Sequence, residues 1–453
     1  MFLTTDQIRG ALATCIDEAA AQGVDDGGLH DELNAVPDSF DALYAFADYL
    51  ATRPLRADWP FVEPLLFEDI RAEWSPEATV DDLAAAMSAG EKAARVEAAF
   101  YGRVAGCILG KPVEVMPTAE QLKDALEPLG QWPLRGWVPE AALDKLDGLS
   151  GRWRQPQWVD TVEGRISFVA GDDDINYCVL ATLLIERRGA AFTGADVQQQ
   201  WQLQLSPAVT FGPERTMLLR RGAAGNNYAP VDEGDALRWP TVLNPGSELC
   251  GAFIRVDAYA WAALGRPALA AELAWRDAAT THVRTGVYSS MWIAALLAAT
   301  PFVDAWDDLA RLALAYVPQR SRFADVVRES IDDVASADDW WSANRALVAR
   351  RPDAGHCMIT QEVGTLLNTL RFAGDTGEGI CLQVSQGNDT DSFGATAGSV
   401  LGLRFGTGGL DHEKWITPFN DDLRLAMVLP PERSLCAMAA RAARLPERVA
   451  ADL

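Results

Sequence analysis

Two short acidic runs constrain this chain more than any other feature. Asp172, Asp173 and Asp174 follow Gly171, and Asn388, Asp389, Thr390, Asp391 and Ser392 follow Gly387. Each run leads straight into an apolar stretch, Ile175 to Ile185 in the first case and the small-residue run Phe393 to Leu403 in the second. Asp, Asn and Ser favour helix N-termini because a side-chain oxygen satisfies an unpaired N–H and negative charge complements the dipole. One oxygen is enough for that purpose, and three consecutive carboxylates exceed it. If the two helix starts meet, six oxygen-bearing side chains converge and repel one another unless cations neutralise them. Mg²⁺ and Mn²⁺, which prefer oxygen ligands, suit such a cage. A calcium-binding EF-hand fits neither run. Counted from Asp389, its fifth and twelfth positions are Phe393 and Val400; counted from Asp172, its sixth and twelfth are Tyr177 and Leu183.

The apolar periodicity is helical throughout. Helices are expected over Asp6 to Ala21, Phe40 to Thr52 behind Ser39, Val80 to Leu109, Ile175 to Arg188, Leu269 to Thr281, Tyr288 to Ala299, Gln361 to Phe372, Ser392 to Leu403 and Arg433 to Arg444. Few stretches alternate with period two, so the expected class is all-α. Gly102, Gly106 and Gly110 recur on one helix face and admit a close neighbour before Pro112 stops the helix. Pro117 to Arg165 reads as loop-rich, with Trp132, Trp137, Trp153 and Trp158 among Gly and Pro.

At 453 residues, 49% of them hydrophobic, the chain exceeds one ordinary core. The expected organisation is a helical N-terminal extension over 1–90, structural or partner-contacting, and a main domain over 91–453. A net charge of −25 argues against general nucleic-acid binding but leaves room for a small phosphorylated ligand at a local pocket. The seven cysteines are scattered, with no CxxC pair or Cys/His cluster along the chain, which indicates a reducing compartment rather than a zinc site or disulfide framework. Met1 to Gly10 lacks the pattern of a secretory signal. The longest apolar stretch, Met291 to Val303, is too short to span a bilayer. A cytoplasmic protein without a membrane partner is expected. Gly106 to Pro112 superficially suggests a phosphate-binding loop, but it has three residues between its glycines where four are needed, and Pro112 follows Lys111 where Ser or Thr is needed.

Four blocks, in order, resemble the ADP-ribosylglycohydrolase family, which includes the dinitrogenase reductase-activating glycohydrolases. The first runs from Gly102 through Gly106 and Gly110 to Glu114, and the second from Asp172 to Tyr177. The third runs from Cys250 to Arg255 and on through Gly265, Arg276, Thr281 and His282 to Tyr288. The fourth runs from Gly387 to Gly394. The resemblance implies a compact orthogonal multi-helix bundle and a catalytic role for residues 91–453. It also implies two divalent cations, Mg²⁺ or Mn²⁺, held by Asp172, Asp173, Asp174, Asp389, Asp391 and Ser392. Glu114, Asp173 and Asp391 are then the catalytic carboxylates, and Gly251, His282 and Tyr288 line the substrate pocket.

The implied activity is hydrolysis of the glycosidic bond of an ADP-ribosyl group, on a modified protein or a small ADP-ribosylated molecule. An N-glycoside or nucleoside hydrolase acting on a small molecule is the related alternative, and an inactive ADP-ribose-binding homologue is the non-enzymatic one. This chain departs from the family pattern at Asp172 (usually Thr or Ser), Ile175 (usually Thr) and Cys107 (commonly Asp). It also carries a long insertion over 115–170.

Overall fold

The computed structural model describes residues 4–78, 83–114, 117–146, 160–224 and 238–452. Two antiparallel helices form its axis. The first central helix, Ala89–Gly110, starts in a capping box: the Ser88 hydroxyl accepts the Glu91 N–H, and the Glu91 carboxylate accepts the Ser88 N–H at 2.8 Å. The second, Thr390–Phe405, lies against it in close backbone contact along the glycines. A Cβ placed at Gly102, Gly106 or Gly110 would come within 3.0 Å of the carbonyl oxygen of Gly398, Gly394 or Thr390 respectively. A Cβ at Gly402 would do the same to the Ala98 carbonyl. Each step of four residues forward on one helix is a step of four back on the other, which fixes the antiparallel register. The face of small residues read from the sequence is this contact.

Around the axis the helices bury their apolar faces in one core. Arg284–Ala299 is buried from Thr285 onward and apolar nearly all round, as befits an internal helix. Pro267–Ala278 packs beside it, buried on Ala270, Ala271, Leu273 and Ala274. The described residues contain no strand, only isolated bridges such as Thr118 with Gly387 and Val169 with Leu423, so the fold is all-α as expected.

Local departures from expectation have local causes. The helix expected from Val80 starts at Ala89, because the Ser88–Glu91 capping box separates it from a short 3₁₀ turn at Leu83–Ala86. The stretch read as loop contains the helix Ala119–Leu126, started by a Thr118–Gln121 capping box. Trp132 packs against Trp340 and Trp341 at ring distances of 5.6 and 5.5 Å, and Trp137 against Trp415 at 4.8 Å. Trp153 and Trp158 lie outside the described residues.

The N-terminal helices Thr5–Ala21, Leu29–Ala35 and Phe40–Ala51 close a small core of their own from Ile8, Leu12, Ile16, Leu33, Leu43 and Phe46, which Leu243 joins. The following segment binds the main body instead. Ile70 enters the main core, Glu63 pairs with Arg322 at 2.9 Å, and Trp74 meets Tyr316 edge-on at 5.3 Å.

The seam makes a sharp mutational prediction. Gly106→Ala adds one methyl where there is no room and is expected to cost about 3 kcal/mol or more, at the upper end of overpacking penalties. Gly90→Ala, on the same helix with open space around it, is expected to stabilise by up to about 1 kcal/mol through helix propensity. Urea unfolding of both variants measures the difference.

Candidate functional site

The seam delivers the N-terminus of the second central helix to the C-terminus of the first. Gly387 and Asn388, both at positive φ (79° and 64°), turn the chain into this helix, and the Asn388 N–H donates to the Pro117 carbonyl at 3.2 Å. The Thr390 hydroxyl donates to the Gly110 carbonyl at 2.8 Å, satisfying an oxygen left open at the helix end. Asp389 occupies the N-cap position without spending its side chain on capping. The Asp391 carboxylate accepts the Ser392 N–H at 3.0 Å.

The third element is the helix Asp173–Arg188. Asp172 caps it, with Oδ1 accepting the Asp174 N–H at 3.0 Å, while its other oxygen accepts from the buried Lys111 ammonium. Arg103, fully inside the first central helix's buried face, ties the elements together. It donates to the Asp174 carbonyl at 2.8 Å and to Asp257 Oδ2 at 2.9 Å, and also to the Ile254 carbonyl. Asp172, Asp174, Asp389, Asp391 and Ser392 are buried, while Asp173 and Glu114 are half-buried.

Carboxylates of the two acidic runs lie near enough to raise one another electrostatically. Burial pushes the Asp391 carboxyl well above its ordinary range, and Glu114, Asp172, Asp389 and Asp174 push it further. Burial does the same to Asp174, reinforced by Asp172, Asp173 and Asp389 and opposed by Arg103. Asp173 is raised by burial, then by Asp172 and Glu114, against Lys111. Burial would raise Asp172 too, but the Lys111 ammonium and the hydrogen bonds to Asp172 outweigh it and hold that carboxyl below the usual range. Asp174 Oδ1 and Glu362 Oε1 are buried without a hydrogen-bond partner. Lys111 and Arg103 cannot balance so many carboxylates, and this oxygen-rich donor set fits divalent cations. Donor atoms of Glu114, His356 and Asp389 lie within 4.8 Å of one another, as do those of Cys107, Asp172 and Asp174.

The residues expected to line a substrate pocket fall into two places. Gly251 and His282 belong to a knot around the buried Arg255. Arg255 donates to Glu214 Oε1 and Asp277 Oδ1 at 2.5 Å, to Thr281 Oγ1 at 2.7 Å and to the Gly251 carbonyl at 3.1 Å. A side chain at Gly251 would strike the Glu214 carboxyl. The His282 Nδ1 pairs with Thr281 Oγ1 at 2.8 Å and its Nε2 has no hydrogen-bond partner. Burial, then Arg255, hold this imidazole neutral. Tyr177 links the knot to the carboxylates: its ring lies 4.5 Å from Trp201, over which Arg255 sits, and its hydroxyl feels both Asp173 and Glu214. Tyr288 lies elsewhere, fully buried, with its hydroxyl donated to the Pro64 carbonyl.

Residues 88–448 match the family model described as ADP-ribosylglycohydrolase. The chain belongs to the ADP-ribosylglycohydrolase family. A solved structure described as an ADP-ribosylglycohydrolase-related protein complex is 22% identical, covers 79% of this chain and 99% of that chain, and superposes with a TM-score of 0.48. Among curated proteins no relative matches. The family match starts at the capping box of the first central helix and takes in all four sequence blocks, and membership supports a glycohydrolase-type function. Among the described residues no helix is long and apolar enough to cross a membrane.

Sequence reading passed over several residues at the carboxylate pocket. Lys111 was visible only as part of a failed phosphate-loop pattern, and Arg103 as one of many arginines. Glu362, His356 and Cys357 carried no local signal, since their partners are remote in sequence.

The raised carboxyls predict an unusual pH dependence. Asp173, Asp174 and Asp391 bind protons more tightly folded than unfolded. Their contribution to stability is complete below the unfolded value, about 3.9, and is lost as pH rises through the raised folded values. Asp172 works in the opposite sense, its contribution lost as pH falls through its lowered folded value. His282, held neutral, costs stability below about pH 6.5. In metal-free protein the Tm is therefore expected to fall with rising pH once His282 has ceased to contribute, above about pH 6.5, and Mg²⁺ or Mn²⁺ to restore it most at the highest pH. Scanning fluorimetry across that window reads both effects, and a flat or rising metal-free Tm would contradict them.

Proposed function

We propose that this chain is a divalent-cation-dependent hydrolase that cleaves the glycosidic bond of an ADP-ribosyl group. The observation that supports the reading is the mutual electrostatic coupling of Asp172, Asp173 and Asp174 with Asp389, Asp391 and Glu114, carboxylates from remote segments that are buried or half-buried. Asp172, Asp173, Asp174, Asp389, Asp391 and Ser392 would hold two cations, Mg²⁺ or Mn²⁺. When bound, these supply positive charge to the ribose hydroxyls and make water a better acid.

The chain's own groups do the rest. Asp173 and Asp391, arriving from different helices, orient the attacking water toward the anomeric carbon. Glu114, half-buried like Asp173, takes the proton from that water as general base. The glycosidic bond breaks through an oxocarbenium-like state, which the surrounding carboxylates favour electrostatically, the water oxygen bonds to the anomeric carbon, and the leaving group departs with the proton that Glu114 took. Gly251 lacks the Cβ that would strike the Glu214 carboxyl, and His282, buried and neutral, backs the substrate wall without adding charge. Tyr288 anchors the segment around Pro64 and stands apart from this wall.

The test is hydrolysis of ADP-ribosyl-arginine, ADP-ribosyl-serine and simple nucleosides with Mg²⁺ or Mn²⁺, with products resolved by chromatography. Glu114→Gln and Asp391→Asn are each expected to lower kcat by about 100-fold or more with an unchanged circular dichroism spectrum. Full turnover by Asp391→Asn would refute this assignment. Release of base from nucleosides, with the ADP-ribosyl compounds untouched, would move the substrate to the small-molecule class.

A further inference from the structure

A thiol–imidazole corner is built against Asp389, and the proposed hydrolysis makes no use of it. Cys250, which opens the 3₁₀ turn Cys250–Arg255, is buried and donates its Sγ–H to Asp389 Oδ2 at 3.1 Å. Its backbone N–H donates to the Cys357 carbonyl at 3.2 Å, and the two thiols are themselves hydrogen-bonded. Cys357 sits in the left-handed region at φ 62°, unusual for a residue with a Cβ, so the surroundings hold it there. The sulfurs of Cys250 and Cys357 and a carboxylate oxygen of Asp389 all lie within 4.8 Å of one another. His356 approaches from the other side, with Nδ1 3.7 Å from Asp389 Oδ1 and buried without a hydrogen-bond partner. Behind them stands Glu362, 2% exposed, one oxygen likewise unpartnered.

Such a donor set is mismatched to a hard cation. Mg²⁺ gains nothing from thiols, whereas Zn²⁺ takes sulfur, imidazole nitrogen and carboxylate oxygen together, with ligand atoms about 3 to 4 Å apart around a tetrahedral ion. We propose that Cys250, Cys357 and Asp389, with His356 as fourth ligand, form a soft-metal site that takes Zn²⁺ in preference to Mg²⁺. The site rests on the proposed hydrolase function only in sharing Asp389 with its cation pocket. Binding breaks the two S–H bonds, forms two metal–sulfur bonds and releases both protons to solvent, and no oxidation state changes.

The full chain, stripped of metal and kept in reductant, is titrated with Co²⁺ as a spectroscopic stand-in for Zn²⁺. One equivalent is expected to produce the near-ultraviolet thiolate-to-cobalt charge-transfer band. One equivalent of Zn²⁺ should abolish that band, and excess Mg²⁺ should leave it. The Cys250→Ser/Cys357→Ser double variant should lose the band and still bind Co²⁺ weakly through oxygen. Wild-type protein that binds Co²⁺ without a charge-transfer band overturns the proposal, and this result needs no variant to fold. The proposal fails equally if the band survives in the double variant, or if mass spectrometry finds a Cys250–Cys357 disulfide that persists in reductant. An oxygen-only Co²⁺ spectrum that disappears in Asp391→Asn would leave the cation-dependent hydrolase standing while removing the thiol site. A thiolate band in a chain that hydrolyses no ADP-ribosyl compound would do the reverse.

Discussion

Two helices in backbone contact along a face of glycines hold this molecule in register. Ala98 faces Gly402, Gly102 faces Gly398, Gly106 faces Gly394, and Gly110 faces Thr390. Glycine is a poor helix former, at about 1 kcal/mol per residue relative to alanine, so a face of glycines persists only where backbone contact repays it. Here the close approach sets the axial position of one helix on the other to within a residue. That position is what puts Asp389 and Asp391 beside Lys111 and Glu114. A slip of one turn would separate the charges and leave several of them buried without counterparts.

The pocket that results is electrostatically expensive, and its surroundings share the load. Arg103 reaches from the seam to Asp174 and Asp257, and Lys111 neutralises Asp172. Asp173 and Thr390 each open a helix, so both acidic runs sit at positive helix ends. What remains is an excess of negative charge in a water-poor site, the condition under which protons or divalent cations are drawn in. Proton uptake and cation uptake are therefore competing answers to one problem. The pocket's two ends differ in chemistry, with an ammonium at Asp172 and thiols and an imidazole at Asp389.

Beside the pocket, the Arg255 knot gives one wall a rigid polar backing. Its guanidinium is shared among Glu214, Asp277, Thr281 and the Gly251 carbonyl, and a fully buried arginine with that many acceptors leaves little freedom to the residues around it. Tyr177 and Trp201 fill the space between this knot and Asp173. The N-terminal segment adds a brace from outside, joined through Glu63 to Arg322 and through the Tyr288 hydroxyl.

Whatever depends on neighbours along the chain was legible in the order of the residues. Helical periodicity, the acidic helix starts at Asp172 and Asp389, and the glycine face of the first central helix are local patterns with local physics. Capping boxes at Ser88 and Thr118 were equally local, and reading past them misplaced one helix start and hid a short helix. The partner of the glycine face, the roles of Lys111 and Arg103, and the meeting of Asp389 with Cys250, Cys357 and His356 were decided only by packing. Each joins residues from separate segments, and an interaction between remote segments has no signature in either one until the fold brings them within reach.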